Sequence, residues 1–424
     1  MKPRALLCAV LFAACSLAAQ TAQVKAVRFG TLIDGRGKVW KDAVVLIAGD
    51  KVQAVTSDAA QIPPDATVID LRRFTGIPGL IDMHTHMTYY WDRAPGTRPF
   101  GGGANRLPQV TVFLAQENAR KTLETGVTTV RDLGSSDYND IAMRDLINRG
   151  AMLGPRMFVS GYGLHISSGR VRPGFSAPAG GTADGVPEVI KITRQQLGAG
   201  ADVIKMYGST GSDQDLSGFQ TFTFDEMKAA ADVAHALGKK IAVHSYGPKG
   251  ATDAVRAGAD SIEHAVDMDA ATLQEMARRH TFYVPTIDHN RYYAEFHEEY
   301  GFGPEVVKRL NEFIPRNLET TRQAIKAGVP LAMGSDAVFS MFGQNTRELE
   351  WFVKAGLSPA QALATATSNA ASLLGMEDRL GAVAPGYFAD LVAVEGDPLV
   401  DISVVIHNVR WVMKGGQVVV DKTR

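Results

Sequence analysis

The stretch GLIDMHTHMT, residues 79–88, places His84 and His86 two positions apart at the end of an apolar run. In an extended strand, residues i and i+2 point to the same face, so both imidazoles can bind one ion. Such a pair alone is more often incidental than a metal site, because two ligands do not complete a coordination shell. The pair predicts a metal site only if other parts of the chain supply the remaining ligands.

Three further residues with metal-binding side chains end apolar runs later in the chain. His244 lies in KKIAVHSYG, His264 in ADSIEHAV and Asp336 in VPLAMGSDA. Each of them singly could be a hydrogen-bonded core residue. Imidazole and carboxylate are also the ligands that Zn²⁺ and related divalent ions accept in proteins. Their shared position at the ends of β-like runs favours a common metal site.

Lys205 interrupts the apolar run ADVIKMYG, where an ammonium group is costly to bury. A stem that carries the charge out to solvent is the ordinary explanation. The alternative is a lysine whose neutral amine has reacted with carbon dioxide, because a carbamate is a carboxylate on a long arm. Under that interpretation, carboxylated Lys205 is a candidate ligand that bridges two cations.

Positioning these residues requires a fold whose strands end on one side. Over about 300 residues, eight β-like runs alternate with amphipathic stretches such as DEMKAAADVAHALG, which predicts a (β/α)8 TIM barrel. Short β-type runs before and after it predict a small composite β-sandwich domain built from both ends of the chain. The predicted organisation is a signal peptide at 1–22, a β domain at 23–75 and 385–424, and the barrel at 76–384.

Composition and the first residues limit the protein's partners and location. The 424 residues are 45% hydrophobic and 21% charged without a polybasic tract, so nucleic acid is not an expected partner. The start MKPRALLCAVLFAAC is typical of a secretory signal and too short for a membrane span, so no transmembrane segment is expected. We therefore expect export to a periplasm or the medium, with lipidation at Cys15 as an alternative. Both cysteines lie in this leader, which leaves histidines and carboxylates as metal ligands.

The motifs together resemble the amidohydrolase superfamily, and within it the imidazolonepropionase-like branch that contains Xaa-Pro dipeptidases, carboxypeptidases and ochratoxin-cleaving amidases. The resemblance implies that His84, His86 and Asp336 hold one metal, that His244 and His264 hold the other, and that carboxylated Lys205 bridges them. It also implies a homo-oligomer, such as an octamer. The stretches that carry it are PGLIDMHTH, GVTTVRDLG, GADVIKMYGSTG, IAVHSYG, GADSIEHAV, AMGSDA and TSNAASLLGMEDRLGAVAPGYFADLVAVEGDPL.

Two divalent metal ions of this kind, with Zn²⁺ favoured over Mn²⁺, Co²⁺ or Fe²⁺, lower the pKa of a shared water and supply a bridging hydroxide that attacks a carbonyl. Asp336 would receive its proton and deliver it to the leaving amine. Two residues are candidates to stabilise the oxyanion or contact substrate. Tyr246 lies two positions after His244, and His165 in GYGLHISSG follows the third strand, where its position resembles a substrate-contacting histidine of the family.

Substrate choice should reside in the loops after the strands. The third loop carries Arg170 and Arg172, and the seventh carries His289, Arg291 and Tyr292. An arginine in one of these loops could bind a free carboxylate in a bidentate manner, and the sequence leaves open which one. The resulting prediction is a binuclear amidohydrolase that cleaves small peptides or N-acyl amino acids, as carboxypeptidases and Xaa-Pro dipeptidases do, or amides of the ochratoxin type.

Two alternatives remain at this point. A two-metal hydrolase of lactones, cyclic amides or phosphotriesters would use the same centre, although such substrates need no carboxylate clamp. A non-catalytic barrel used for assembly would be expected to lack at least one of the ligand residues, and none is missing here.

Overall fold

The computed structural model describes residues 23–100, 107–168 and 179–423. The predicted signal peptide, and with it Cys15, lies outside these residues. No helix within the described part is both long enough and apolar enough to span a membrane. The strands are β1 Lys25–Ile33, β2 Val39–Ala48, β3 Lys51–Thr56, β4 Thr67–Pro78, β5 Leu80–Thr85, β6 Val127–Asp132, β7 Arg156–Val159, β8 Val203–Tyr207, β9 Lys240–Ser245, β10 Ser261–His264, β11 Phe282–Val284, β12 Leu391–Val394, β13 Val409–Lys414 and β14 Gln417–Asp421.

Helices follow most of the central strands, and local sequence sets their ends. Thr223 begins α4 with a capping box to Glu226, whereas Pro304 occupies the first turn of α9, where its missing N–H is not needed. The α-helices are α1 Pro108–Glu124, α2 Asn139–Asn148, α3 Gly185–Ala199, α4 Phe224–Ala236, α5 Pro248–Ala257, α6 Ala270–Arg279, α7 Ile287–Glu295, α8 His297–Tyr300, α9 Pro304–Ala327, α10 Glu348–Ala355, α11 Pro359–Thr365, α12 Ser368–Leu374 and α13 Ser403–His407.

Both ends of the chain contribute to one seven-stranded sheet with the order β14-β13-β12-β4-β1-β2-β3. The central strand β4 pairs in parallel with β1 and antiparallel with β12, where Pro78 lies opposite Leu391. Apolar side chains from both ends, including Phe29 and Trp411, are buried together on this sheet. β4 continues to Pro78, three residues past the predicted boundary at 75, and β5 starts at Leu80.

The central strands form two parallel sheets, β5-β6-β7 and β8-β9-β10-β11. Backbone hydrogen bonds connect them at one junction, since Leu164 N donates to the Lys205 carbonyl at 2.8 Å and Tyr207 N donates to the Leu164 carbonyl at 2.9 Å. At the other junction, segment 330–337 lies between β11 and β5. Tyr283 N donates to the Pro330 carbonyl at 2.9 Å, and Met83 N to the Met333 carbonyl at 2.8 Å.

The core lies between these strands and the helices outside them. Buried aliphatic residues of the strands, such as Val130, Ile204 and Ile241, belong to one large cluster with buried helix residues such as Ala231 and Leu273. Such continuous burial is typical of parallel strands covered by helices. The strand ends that carry the polar residues are held by this packing.

Candidate active site

A cavity lies where the central parallel strands end, and all six predicted metal ligands line it. Strands β5, β8, β9 and β10 each contribute a residue, and segment 330–337 contributes Asp336. The lining residues within the described part are His84, His86, Tyr89, Phe100, Lys205, Tyr207, Ser212, Asp213, His244, Tyr246, His264, His289, Tyr293, Asp336 and Val338.

His84, His86 and Asp336 form a compact group of possible ligands. One atom from each lies within 4.8 Å of the others, and all three residues are buried. Asp336 Oδ1 is 3.5 Å from His84 Nε2 and 3.2 Å from His86 Nε2. Two imidazole nitrogens thus face one carboxylate oxygen.

Lys205, His244 and His264 extend this group across the cavity. Lys205 Nζ lies 3.4 Å from His84 Nε2. The His264 ring centroid is 4.9 Å from that of His84 and 4.6 Å from that of His244. The structure therefore brings the six residues into one continuous constellation of nitrogen and oxygen donors.

In both His84 and His86, the Nδ1 atom already forms a hydrogen bond. His84 Nδ1 donates to Glu263 Oε2 at 2.9 Å, and His86 Nδ1 donates to the Gly134 carbonyl at 3.1 Å. Glu263 Oε1 in turn accepts from Arg131 at 2.7 Å. This pattern fixes each ring so that Nε2 points into the cavity, as it does in metal-bound histidines.

The protonation states of these groups suit a cation. Burial lowers the pKa of His84 to about 4, and the charge of Lys205 adds to the effect. Burial also lowers the pKa of His264 well below its usual value. Burial opposes ionisation of Asp336, but interactions with His289, His84, His86 and His264 outweigh it and hold its pKa well below the ordinary range. Neutral imidazoles beside an ionised carboxylate are the metal-binding forms of these groups.

This donor set fits a divalent ion. A neutral His84 or His86 that donates through Nδ1 presents a lone pair at Nε2, and Asp336 presents another at Oδ1. Acceptors facing one another at such distances repel unless a cation or proton lies between them. The low pKa of His84 disfavours the proton. A cation would remove this conflict.

The backbone is unusual where two of these residues lie. His264 has φ 74° and Asp336 has φ 51°, in the left-handed region that residues other than glycine seldom adopt. Thr286, whose Oγ1 shares a 2.6 Å hydrogen bond with His264 Nδ1, has φ 51°. Such conformations cost about 1–3 kcal/mol each and cluster at functional sites. The fold holds these side chains in place against a local preference.

Helix α7 delivers two more residues to the cavity. Glu348 accepts hydrogen bonds from the backbone N–H groups of Ile287 and Asp288 at 2.9 and 2.8 Å, which holds the start of the helix. His289 Nδ1 donates to the Asp336 carbonyl at 2.8 Å, and its ring packs edge-on against Tyr293 with centroids 4.4 Å apart. His289, predicted as a substrate contact, is therefore in the cavity.

The structure does not bring Arg291 and Tyr292 to the cavity, because they lie on other faces of the same helix. Arg291 forms ion pairs with Asp288, at 2.7 Å, and with Glu295. Tyr292 stacks on Phe296 with centroids 4.4 Å apart. Residues four apart on a helix share a face, so the residue that accompanies His289 is Tyr293.

The two predicted oxyanion candidates have different positions. Tyr246 lines the cavity with its ring centroid 5.2 Å from those of both His244 and His264. His165 is not among the described residues of the cavity wall. Its Nδ1 donates to the Gly163 carbonyl at 2.8 Å, and its Nε2 accepts from Thr182 Oγ1 at 3.2 Å. Arg170 and Arg172 lie outside the described residues.

The sequence does not predict several residues that line the cavity or support its lining. Tyr293 could have been found from its i+4 spacing to His289 once the seventh loop was recognised as helical. Asp213 lies in the loop after the Lys205 strand and has no local signal beyond that position. Glu263, which orients His84, precedes His264 in β10, and a buried carboxylate beside a ligand histidine is the available clue.

Comparison with known proteins places the chain in a family. Residues 75–419 match the Amidohydrolase family. Ochratoxinase from Aspergillus niger is 31% identical over 432 residues, which cover 93% of this chain and 86% of that protein. A solved Xaa-Pro dipeptidase with methionine bound in its active site is 33% identical and superposes with a TM-score of 0.84, over 93% of this chain and 99% of that one. A prolidase solved with N-methylphosphonate-L-proline is 27% identical, with a TM-score of 0.83 and the same coverage.

The chain belongs to the amidohydrolase family, as the motifs predicted. It is accordingly an enzyme that hydrolyses amide or peptide bonds. The family and the structure agree on a mixed α/β fold with parallel sheets and a β-rich region.

Proposed function

We propose that the protein is a binuclear metal-dependent amidohydrolase that cleaves small peptides or N-acyl amino acids and releases the C-terminal amino acid. The observation that carries the proposal is the convergence of the six ligand-type residues on one buried cavity. Similarity to a Xaa-Pro dipeptidase and to an ochratoxinase supports an amide whose leaving part is an amino acid.

The scaffold in this proposal is a (β/α)8 barrel with a composite β-sandwich domain. Supporting it, the two parallel sheets hydrogen-bond to each other through Leu164, and segment 330–337 connects β11 with β5 as an eighth extended segment. A (β/α)8 barrel has eight parallel strands in sequence order, with functional residues at their carboxyl ends, and these segments agree with that pattern. The range 76–384 for the barrel remains part of the proposal.

The residues present fit two cations. His84, His86 and Asp336 would hold one, His244 and His264 the other, and a carboxylated Lys205 would join them. When bound, two divalent ions such as Zn²⁺ would lower the pKa of a water molecule and polarise the substrate carbonyl. Lys205 is 1% exposed, and conversion to a carbamate would replace a buried ammonium with the anionic ligand that such a site requires.

In this proposal, side chains of the protein transfer protons and orient the reacting groups. Asp336 has a carboxylate oxygen 3.5 Å from His84 Nε2 and 3.2 Å from His86 Nε2, and it can take a proton at Oδ and return it to the departing amine nitrogen. Tyr246 can donate its hydroxyl hydrogen to the carbonyl oxygen as negative charge develops there. Glu263 holds the His84 ring, and Glu348 holds the helix that carries His289.

A second candidate reaction is hydrolysis of lactones, cyclic amides or phosphotriesters. The observation that favours it is that no arginine occurs among the cavity residues in the described part of the chain, so a clamp for a substrate carboxylate is not in evidence there. The intact set of ligand residues speaks against a purely structural role for the barrel.

The test is release of amino acids by the Zn²⁺-loaded protein from N-acyl amino acids and from Xaa-Pro, Xaa-Phe and Xaa-Arg dipeptides, followed by mass spectrometry. Release restricted to substrates with a free C-terminal carboxylate is the expected result. No release, with two metals confirmed by elemental analysis, would overturn the proposal and direct attention to lactones and phosphotriesters. The Asp336→Asn variant serves as the background control.

Export and assembly are proposed from the sequence alone. We propose that residues 1–22 direct the protein to the periplasm or the medium and are removed, with acylation at Cys15 as the alternative. Intact mass of the protein from fractionated cells distinguishes these outcomes. We also propose a homo-oligomer, which light scattering after size-exclusion chromatography would test.

A further inference from the structure

The loop after β8, residues 208–221, is a folded part of the cavity wall. Thr210 N donates to the Phe219 carbonyl and Ser212 N to the Asp215 carbonyl, both at 2.7 Å. Gly211 has φ 118°, and a Cβ built on it would lie 2.4 Å from Tyr246 Cγ, so only glycine allows the loop to pack so closely on that ring. The loop is thereby fixed beside a residue of the active site.

Asp213 presents an unsatisfied carboxylate oxygen within this wall. The residue lines the cavity and is 4% exposed. Its Oδ1 accepts a hydrogen bond from Ser212 Oγ, whereas Oδ2 is buried and accepts none from any residue that the structure describes. Buried carboxylate oxygens normally have partners, because the loss of hydration is otherwise uncompensated.

Asp213 differs from Asp336, the other acid of the described cavity wall. Imidazole nitrogens of His84, His86 and His289 lie within 3.5 Å of Asp336 carboxylate oxygens, and the proposed metal site accounts for that carboxylate. No such role is assigned to Asp213, whose loop sits on the Tyr246 side of the cavity. A fixed, desolvated anion next to the reacting groups is suited to a cationic part of a substrate.

We propose that Asp213 binds a protonated nitrogen on the acyl part of the substrate. This inference rests on the proposed amide hydrolysis and names a substrate class for it. Either the α-ammonium group of a dipeptide or a basic side chain could supply the N–H donors. In both cases a charge-assisted hydrogen bond to Oδ2 would compensate for the buried carboxylate oxygen. An N-acyl amino acid without such a group would lack this contact.

Matched substrates separate the two sources of charge. Each substrate would have the same leaving amino acid, the one identified in the release experiment. The acyl part would be alanine, Nα-acetylalanine, Nα-acetyl-lysine or Nα-acetyl-norleucine. We expect a kcat/KM roughly 10- to 100-fold higher for one charged member over its neutral counterpart. Preference for alanine over Nα-acetylalanine identifies the α-ammonium, and preference for Nα-acetyl-lysine over Nα-acetyl-norleucine identifies the side chain.

Two variants connect the preference to Asp213. Asp213→Asn should remove most of this preference, because kcat/KM should fall much more for the charged member than for its neutral counterpart. Asp215→Asn is the matched control, because Asp215 lies in the same loop without lining the cavity and should retain the preference. Equal losses on charged and neutral substrates in Asp213→Asn would mean that the residue only supports the loop, and would overturn the inference.

A binding measurement keeps this inference separate from the proposed function. Phosphinic dipeptide analogues with a free amine, an acetylated amine or an acetylated lysine-derived acyl part cannot be cleaved, and calorimetry on the metal-loaded protein gives their affinities. Tighter binding of a charged analogue, lost in Asp213→Asn, supports the role even if no peptide is hydrolysed. Equal affinities, or no binding of any analogue, overturn it even if neutral amides are cleaved.

Discussion

His84 and His289 both approach Asp336, but the chain holds them by different means. His84 lies in β5, which pairs in parallel with β6, and its Nδ1 donates to the buried Glu263. His289 lies on the short helix α7, which is attached at its start through two backbone hydrogen bonds to Glu348. The sheet fixes the first histidine, whereas the second depends on how one helix is docked.

The other cavity residues also fall into those held by strands and those held by loops or helices. Lys205, His244 and His264 lie in strands β8, β9 and β10, whereas Asp213 and Tyr293 lie in a loop and a helix that follow strands. In barrels of parallel strands, strand ends supply the reactive groups and the following loops vary with the substrate. We therefore expect strand-borne residues to control metal content and kcat, and residues of the loops and helices to control KM.

The largest effect is expected for Asp336→Asn. The amide cannot accept the proton and is a weaker ligand, so kcat should fall roughly 10³-fold or more. Steady-state kinetics together with elemental analysis of metal content measures both consequences. Asp215→Asn, in the loop but outside the cavity wall, should match wild type. An Asp336→Asn protein that retained both metals and lost less than tenfold in kcat would show that Asp336 is not the proton acceptor.

Lys205→Ala should lower the metal content below two ions per chain. The substitution deletes the only side chain that could become a carbamate bridge in the described cavity wall. Elemental analysis after metal loading is the measurement, with circular dichroism to confirm folding. Lys228→Ala removes an exposed lysine that pairs with Asp232 and serves as the control. Retention of two metals by Lys205→Ala would refute the bridging role.

Glu263→Gln tests how the strand-borne histidines are oriented. Glu263 accepts from His84 and Arg131, and glutamine keeps only one accepting oxygen for them. The free energy of unfolding should fall by about 3–5 kcal/mol, because a buried guanidinium loses its ionic partner. Metal affinity should fall about 10- to 100-fold. Urea denaturation and chelator competition measure these, with the exposed Glu319→Gln as control. Unchanged metal affinity would show that Glu263 does not orient His84.

The contrast also explains how much the sequence could predict. A polar residue that interrupts an apolar run, as Lys205 and Asp336 do, can be recognised without coordinates. Within the seventh loop, the sequence predicts His289, Arg291 and Tyr292 as substrate contacts, whereas the structure places His289 and Tyr293 in the cavity wall. The difference depends on which face of helix α7 points to the cavity, and the sequence does not indicate this helix. The position of Asp213 could not be predicted, because the fold of its loop is set by contacts with Tyr246, a residue far away in sequence.

A pH effect on stability should follow from His84. Its pKa is 6.5 in the unfolded chain and about 4 in the fold, mainly because of burial. The folded state therefore binds this proton less tightly, and the free energy of unfolding decreases as pH falls from about 6.5 to about 4. In metal-free protein, His84→Gln should reduce that slope by up to about 1.4 kcal/mol per pH unit. Denaturant titrations at several pH values test this, with exposed His407→Gln as control. An identical slope in His84→Gln would contradict it.

The smallest effect is expected for Tyr293→Phe. Its comparison with Tyr246→Phe tests whether residues near the strand ends control kcat while residues of the following helices control KM. Burial raises the pKa of Tyr293 well above its usual value, so its hydroxyl stays protonated and can donate to a bound substrate. One such hydrogen bond corresponds to roughly a 2- to 10-fold change in KM. Tyr246 follows β9 and lies beside His244 and His264, so its loss should instead lower kcat, by roughly 100-fold if it donates to the developing oxyanion.

Kinetics of both variants on one substrate distinguish these effects, because KM and kcat are measured together. A larger loss of kcat in Tyr293→Phe than in Tyr246→Phe would place a reactive group on α7. In that case the docking of this helix by Glu348 would be part of the catalytic apparatus, and the assignment of chemistry to strand ends would have to be given up.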